Sequence, residues 1–433
     1  MLIVEPMNEA SPPRSGTWKW WVCGLLLLAT TINYMDRQTL ANAAVRITNE
    51  LHLSKENYGV LELAFGWAFA LGSLLFGFTA DRVSTRWLYP AVLFGWSLMG
   101  FLSAHTSNFK ELLLCRTLLG LFEAGHWPCA LKTTHLLLSP QDRTMGNGVL
   151  QSGASLGAVI TPLVMRAMMT DAPGSWRLPF QVVAAFGLVW VAAWLMSIRA
   201  RDLIVTSQSN ANQSEVTGST ATAWSAIFSR RFVVALTLLF SIHTTWQLLR
   251  VWLPMFLQTG RGYSERDALL FNSVYFIATD IGCIGAGAIS LWLARRGLSP
   301  HAAKSRVYLF CSVLTSLTVL VAILPKGWLL LASLLLVGAG ALGVYPCYYS
   351  FMQEISSRHV GKITGLIATI VWAVSSPVHK YFGRHVDQTH SFDLGIALVG
   401  LTPLVGYIAL RLFWDKSNKT DVNLEVNVTN QTV

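Results

Sequence analysis

"INYMDRQTL" occupies residues 32–40 and follows a run from Trp20 to Ile32 that contains no charged residue. Asp36 and Arg37 stand side by side where such a run should be finishing a membrane crossing. Either the segment ends at Tyr34 and the charges lie in water, or the helix continues and the pair faces a cavity inside the protein. The rest of the chain decides between these readings.

The chain has 433 residues, 53% hydrophobic and only 12% charged, whereas a soluble domain carries about a quarter of its residues as charge. Its 17 Trp and 21 Phe suit lipid-facing helices and their interfacial belts. This is the composition of a polytopic membrane protein, whose partner is the lipid bilayer. The net charge of +10 does not argue for nucleic acid, because membrane proteins gather Lys and Arg in cytoplasmic loops. Cys23, Cys115, Cys129, Cys283, Cys311 and Cys347 form no CxxC pair or metal-ligand spacing, so they read as small apolar residues, and no metal site is expected. The polar, Pro-containing start has no cleavable signal pattern and leads into the first span.

A helix needs about 20 mostly apolar residues to cross the hydrocarbon. Segments that qualify begin near Trp18, Tyr58, Trp87, Glu111, Gly146 and Trp176, and again near Phe232, Ala268, Ser305, Trp328, Lys362 and Phe392. The expected fold is therefore all-α, with twelve transmembrane helices in two six-helix bundles. The domains are an amino-terminal segment 1–17, a first bundle 18–198, a Ser/Asn/Gln/Thr-rich linker 199–230, a second bundle 231–414 and a tail 415–433. Of the 32 Lys and Arg, 19 fall on the side of the termini, 10 on the other, and Arg37, Arg116 and Arg250 inside spans. The richer side should be cytoplasmic. That places both termini and the linker there, in a multi-pass protein of the cell membrane. Asn212, Asn418, Asn427 and Asn430 then lie in chance glycosylation sequons.

Two soluble-enzyme patterns mislead. "GASLG" (153–157) fits a nucleophile elbow and "GAGALG" (338–343) a dinucleotide fingerprint. Both need a strand–turn–helix setting, yet each lies in mid-span, and no acid follows the second by about 20 residues as ribose binding requires. Gly153 and Gly157, four apart, suit a helix-contact face. The chain is not expected to be an enzyme.

An acidic or basic side chain at the bilayer centre costs about 2.5–3.5 kcal/mol on the gentlest scale, so it is expected to face a cavity and act there. In the fourth span, Arg116 and Glu123 are seven residues apart, near one face but too far for direct pairing along the helix. Each must find its partner elsewhere. In the seventh, His243, Trp246, Gln247 and Arg250 form a polar stripe at i, i+3, i+4 and i+7. Asn272, Thr279 and Asp280 mark the eighth span; Trp372, Ser375, Ser376 and His379 share a face of the eleventh. Each alone could be a satisfied interhelical hydrogen bond. Together with Asp36, Arg37 and Glu123 they point to a water-accessible cavity, with Trp246, Gln247, Arg250, Trp372 and Ser376 as candidate substrate contacts.

"GFTADRVSTR" (77–86) resembles the GxxxDRxxxR loop signature of the major facilitator superfamily. "NYMDR" in the first span, "RTLLGLFEAGHWP" in the fourth, "WLPMFLQTGRGYS" and "ATDIGCIGAG" resemble its anion:cation symporter branch, which includes hexuronate and galactonate transporters and sialin-like proteins. The resemblance spares only the linker and tail. It implies alternating access, a monomer, and symport of a small organic anion, a sugar acid, with protons; the proton gradient drives transport and no cofactor is needed. Carried over by position, Arg37 binds the substrate carboxylate, Tyr34 and Gln151 line the pocket, and Asp36 and Glu123 take up protons. Asp81, Arg82 and Arg86 latch the cytoplasmic side, and Arg116 joins the charges that bias the rocking motion. Phe69 stands where sugar-acid transporters often carry Tyr, and "SLWLARRGLS" keeps Arg295 and Arg296 without the matching acid; these departures bear on the substrate.

Chemistry agrees with the resemblance. A carboxylate substrate needs a fixed cation, and Arg offers a bidentate fork that stays charged. Proton coupling needs a buried carboxyl able to exist in either form. The alternatives are an anion exchanger or exporter of the same fold, a non-transporting membrane sensor, or an intramembrane hydrolase built on Ser155.

Overall fold

The break between "LLLLATTINYMDRQTLANAAVRITNE" and "LHLSKENY" sets the first corner of the molecule, because nothing before His52 interrupts the helix. The computed structural model describes residues 16–139, 142–203, 230–355 and 360–414. The expectations for the amino-terminal segment, most of the linker, the tail and the four sequons fall outside them.

The described residues are helical with no strand. The helices are α1 (Gly16–Glu50), α2 (Lys55–Arg82), α3 (Thr85–Ser103), α4 (Phe109–Glu123), α5 (His126–Leu137), α6 (Arg143–Met168) and α7 (Arg177–Ser197). After the linker come α8 (Arg230–Met255), α9 (Glu265–Arg295), α10 (Pro300–Ser316), α11 (Thr318–Ile323), α12 (Trp328–Ile355), α13 (Val360–Ser375), α14 (Pro377–Thr389) and α15 (Asp393–Phe413). Taking α4 with α5, α10 with α11, and α13 with α14 as broken rods gives twelve rods, six on each side of the linker. Among the described residues, eight helical stretches are individually long and apolar enough to cross a membrane.

Caps sharpen the corners. Ser54 accepts from the Asn57 amide at 3.0 Å, and Asn108 accepts from the Glu111 amide at 3.0 Å while Glu111 reaches back to the Ser107 amide at 2.8 Å. Such side chains satisfy amide donors that have no partner within the helix.

Three single spans expected from the sequence are interrupted, the ninth at Leu317 between α10 and α11 and two others at prolines. The fourth breaks after Glu123, at Ala124–Gly125. Pro128 has no amide proton and its ring crowds the carbonyl of Ala124, four residues earlier. The eleventh breaks at Ser376 before Pro377 for the same reason. Its expected single polar face is thereby split: Trp372 and Ser375 lie on α13, and His379 on α14.

Packing divides the chain into two compact units. The first comprises residues 1–215, 250–277 and 376–392, and the second 216–249, 278–375 and 393–433. In the first, α6 lies hard against α1. A Cβ at Gly157 would stand 2.5 Å from the Thr31 carbonyl oxygen and 2.8 Å from Tyr34 Cβ. "GASLG" is thus a helix-packing face on unbroken α6, without the sharp turn of a nucleophile elbow.

In the second unit, a Cβ at Gly340 would meet the Cys311 carbonyl oxygen at 2.6 Å, so "GAGALG" packs α12 onto α10. The core there is built on Ile242, Tyr308, Val344, Tyr348, Phe351 and Val371. Thr245 and Thr402 tie α8 to α15 through the Val399 and Ser241 carbonyls, each at 2.7 Å. α9 turns most of its surface outward, with Ile281 and Ile284 exposed, whereas α8 is largely enclosed. Exposed Trp67, Leu71, Leu75 and Phe78 give α2 a similar outer apolar face, as a bilayer solvent requires.

Candidate functional site

α1 has 35 residues and so is about 50 Å long, well beyond the roughly 30 Å of hydrocarbon. Asp36 and Arg37 therefore lie deep within a helix, 3% and 6% exposed. The charges are inside the protein.

Neighbouring helical residues project about 100° apart, and these two diverge. Asp36 turns to α3, where a Cβ at Gly100 would come 3.0 Å from its Oδ1; its Oδ2 has no hydrogen-bond partner among the described residues. Arg37 turns to α4 and donates from Nε to Glu123 Oε2 at 2.6 Å. Glu123 is fully buried and its Oε1 accepts no hydrogen bond. Glu123 ends α4 immediately before the proline-induced break.

Arg116, two turns earlier on α4, finds a partner absent from the sequence expectations. Its Nη2 donates to Oε1 of Glu62 on α2 at 2.8 Å, and the second oxygen of Glu62 lies 3.7 Å from Arg250 Nη2 on α8. Glu62, Arg116 and Arg250 are all nearly inaccessible to solvent. Phe65, one turn from Glu62, approaches both ion-pair groups: its ring lies 4.4 Å from the Arg116 guanidinium and 5.4 Å from that of Arg37. Phe69 and Tyr34 flank Arg37 at 4.7 and 5.5 Å. At position 69 an aromatic face meets the guanidinium in place of a hydroxyl.

Around this core stand further polar groups. Both polar atoms of the Asn33 side chain, and both of Gln38, are buried without a hydrogen-bond partner. Such groups are costly unless something satisfies them. His126 bridges Tyr89 OH at 2.9 Å and Thr30 Oγ1 at 3.1 Å, joining α3, α5 and α1. His379 on α14 accepts from Trp252 Nε1 at 3.1 Å, and Trp252 packs edge-on to Tyr58, 5.0 Å between centroids. With all groups ionised, Arg37, Arg116 and Arg250 balance Asp36, Glu62 and Glu123. A neutral cluster that admits an anion is left negative unless a carboxyl takes up a proton.

The remaining expected residues are found on several other helices. Gln151 is exposed on α6. Ser376 is 2% exposed at the α13–α14 break. In the second unit, Gln247 is buried and Trp246 half-buried on α8, while Trp372 packs against His243, ring centroids 4.7 Å apart. Asp81 and Arg82 are exposed, and no ion pair involves them among the described residues; Arg86 donates to the Ile198 carbonyl oxygen.

Sequence reasoning passed over Glu62, Asn33, Gln38 and His126. Glu62 carried a signal, a lone acid in the run 58–80, of the kind that marks intramembrane function. Asn33 and Gln38 become informative only once burial is known.

At the carboxyl end of α1, the same unit carries an extended polar clasp. Arg46 holds both oxygens of Glu265 at 2.8 and 2.5 Å and reaches Ser175 Oγ at 2.6 Å. Asp387 on α14 accepts the Lys55 and Glu56 amides at 2.9 and 2.8 Å, a carboxylate at the amino end of α2. Arg384 completes the contact with Glu56 at 2.6 Å.

A family model described as Major Facilitator Superfamily matches residues 26–378. Among curated proteins, the "Probable L-galactonate transporter" of Escherichia coli K12 is 27% identical over 404 residues, covering 89% of this chain and 87% of that protein. The "Probable galactarate/D-glucarate transporter" of the same strain is 25% identical, covering 94% and 96%. Among solved structures, a bacterial homolog of the human lysosomal transporter Spinster superposes with a TM-score of 0.77 at 16% identity, over 93% of this chain and 98% of that one. That likeness is one of fold.

Proposed function

The chain belongs to the major facilitator superfamily of membrane transporters, and from that premise we propose that it is a proton-coupled symporter of a small organic anion, a sugar acid, working by alternating access. The observation that carries the reading is the buried Arg37–Glu123 pair at 2.6 Å beside the unpartnered Oδ2 of Asp36. Arg37 receives the substrate carboxylate, because a guanidinium can hold Glu123 through Nε and still present a fork to a second acid. Glu123, released from part of its ion pair, and Asp36 take up the protons that keep the cluster neutral.

The sugar-acid class follows the relatives, which are named as transporters of galactonate, galactarate and glucarate. Asn33, Gln38 and Tyr34 supply hydroxyl partners near the arginine on the same helix. In this reading the proton gradient is the driving force, no cofactor takes part, the protein works as a monomer, and the 1–17 segment, the linker and the tail are cytoplasmic. Asp81, Arg82 and Arg86 serve as the latch of the cytoplasmic side. Alternating access is the work of the bundles 18–198 and 231–414, and Gln151, Trp246, Gln247, Trp372 and Ser376 are further substrate contacts in this reading.

The test is uptake of labelled galactonate into proteoliposomes, with and without an inward proton gradient. Symport predicts accumulation that collapses with an uncoupler. Exchange that is indifferent to the gradient would favour an exchanger, and absence of both uptake and counterflow would overturn the transport of this class of anion.

A further inference from the structure

Resting on the anion-transport reading, we propose that Glu62 is a specificity-determining residue: a carboxylate of the protein's own that occupies the Arg116–Arg250 site and restricts the transporter to substrates with a single acidic group.

The geometry carries the inference. One oxygen of Glu62 accepts from Arg116 Nη2 at 2.8 Å and the other faces Arg250 Nη2 at 3.7 Å. That is the arrangement in which a carboxylate is held between two guanidinium groups. The site is buried, with all three side chains 3% exposed. The Phe65 ring approaches the guanidinium groups of both Arg116 and Arg37, at 4.4 and 5.4 Å. The cluster thus has two cationic subsites that share contact with Phe65.

At the second subsite the occupant is tethered. A substrate bound through one carboxylate at Arg37 and carrying another acidic group would bring that group towards Glu62, an ionised carboxylate already holding both guanidinium groups. In a low-dielectric interior such like-charge approach is strongly unfavourable. An alcohol-terminated sugar acid meets no such penalty, since a hydroxyl can donate to Glu62. Glu62 also has a resting role: it pairs with two buried arginines, Arg116 and Arg250. Discrimination built this way is negative selection by charge.

The experiment compares affinities of the purified full-length chain for galactonate, one carboxylate, and galactarate, two, by isothermal titration. Wild type should favour galactonate. Glu62→Gln should raise the galactarate-to-galactonate affinity ratio by roughly tenfold, the scale of one charge-assisted hydrogen bond gained. The ratio, rather than either affinity, is the readout, because a purely structural Glu62 would weaken both acids together.

Glu62→Gln takes a buried carboxylate away from two buried guanidinium groups, a change that can prevent folding. The charge-balanced Glu62→Gln/Arg250→Gln variant keeps the cluster neutral and leaves Arg116 open to the second acid, so its ratio should rise by about threefold. Ratios equal to wild type in whichever of these variants folds overturn the role of Glu62 while leaving the anion reading intact. If the folded wild-type chain binds neither acid, the anion-transport reading falls and the inference with it.

Discussion

Replacing Arg37 by Lys keeps the charge and removes the fork. In the structure Arg37 Nε is committed to Glu123 Oε2 at 2.6 Å, and the guanidinium plane lies over Phe69 at 4.7 Å. A lysine offers one nitrogen at the end of a flexible stem, so it must choose between Glu123 and the substrate or serve both poorly. The loss is that of a charge-assisted hydrogen bond, about 1.5–3 kcal/mol. That corresponds to a roughly ten- to 150-fold weaker affinity. Binding of galactonate measured by isothermal titration in detergent is the assay, with thermal stability as the control for folding. An affinity within about threefold of wild type, a difference below 1 kcal/mol, would refute the anchoring role. A companion variant sharpens the result. Because the described carboxylate partner of Arg37 is Glu123, the neutral pair Arg37→Met/Glu123→Gln removes both charges at once. If that pair binds the anion normally, Arg37 is a counter-ion and nothing more.

Glu123→Gln should still bind and exchange anion across proteoliposomes yet fail to concentrate it with a proton gradient; intact gradient-driven accumulation would move the coupling role to Asp36 or Asp280. Gly157→Leu should destabilise the protein by about 1–3 kcal/mol or more, since its Cβ would already sit 2.5 Å from the Thr31 carbonyl oxygen; an unchanged melting temperature would show that α6 does not need this close approach to α1. For the clasp at the carboxyl end of α1, a double-mutant cycle of Arg46→Ala and Glu265→Ala should give a coupling energy of about 1 kcal/mol, at the upper end for a partly exposed pair, whose side chains are 22% and 24% accessible. A coupling indistinguishable from zero in thermal unfolding would mean that the end of α1 is not held there.

Composition and periodicity alone determined the helical membrane architecture, because lipid leaves the backbone no other way to satisfy its own hydrogen bonds across so many apolar runs. They also made Asp36, Arg37, Arg116 and Glu123 conspicuous, since charge is costly in such segments. What they could not supply was the pairing. Seven residues between Arg116 and Glu123 exclude a direct bond but leave open which helix answers each charge. Only the packing of α1 and α2 against α4 gives Glu123 to Arg37 and Glu62 to Arg116. The breaks at Gly125 and Ser376 were written in Pro128 and Pro377, yet proline in a membrane helix is tolerated often enough that the residue alone does not say whether the rod bends or stops. Gln151 and the exposed pair Asp81–Arg82 show the same limit from the other side. Motif position names such residues, but burial and partners are properties of neighbouring helices, and a linear pattern encodes those only through the fold.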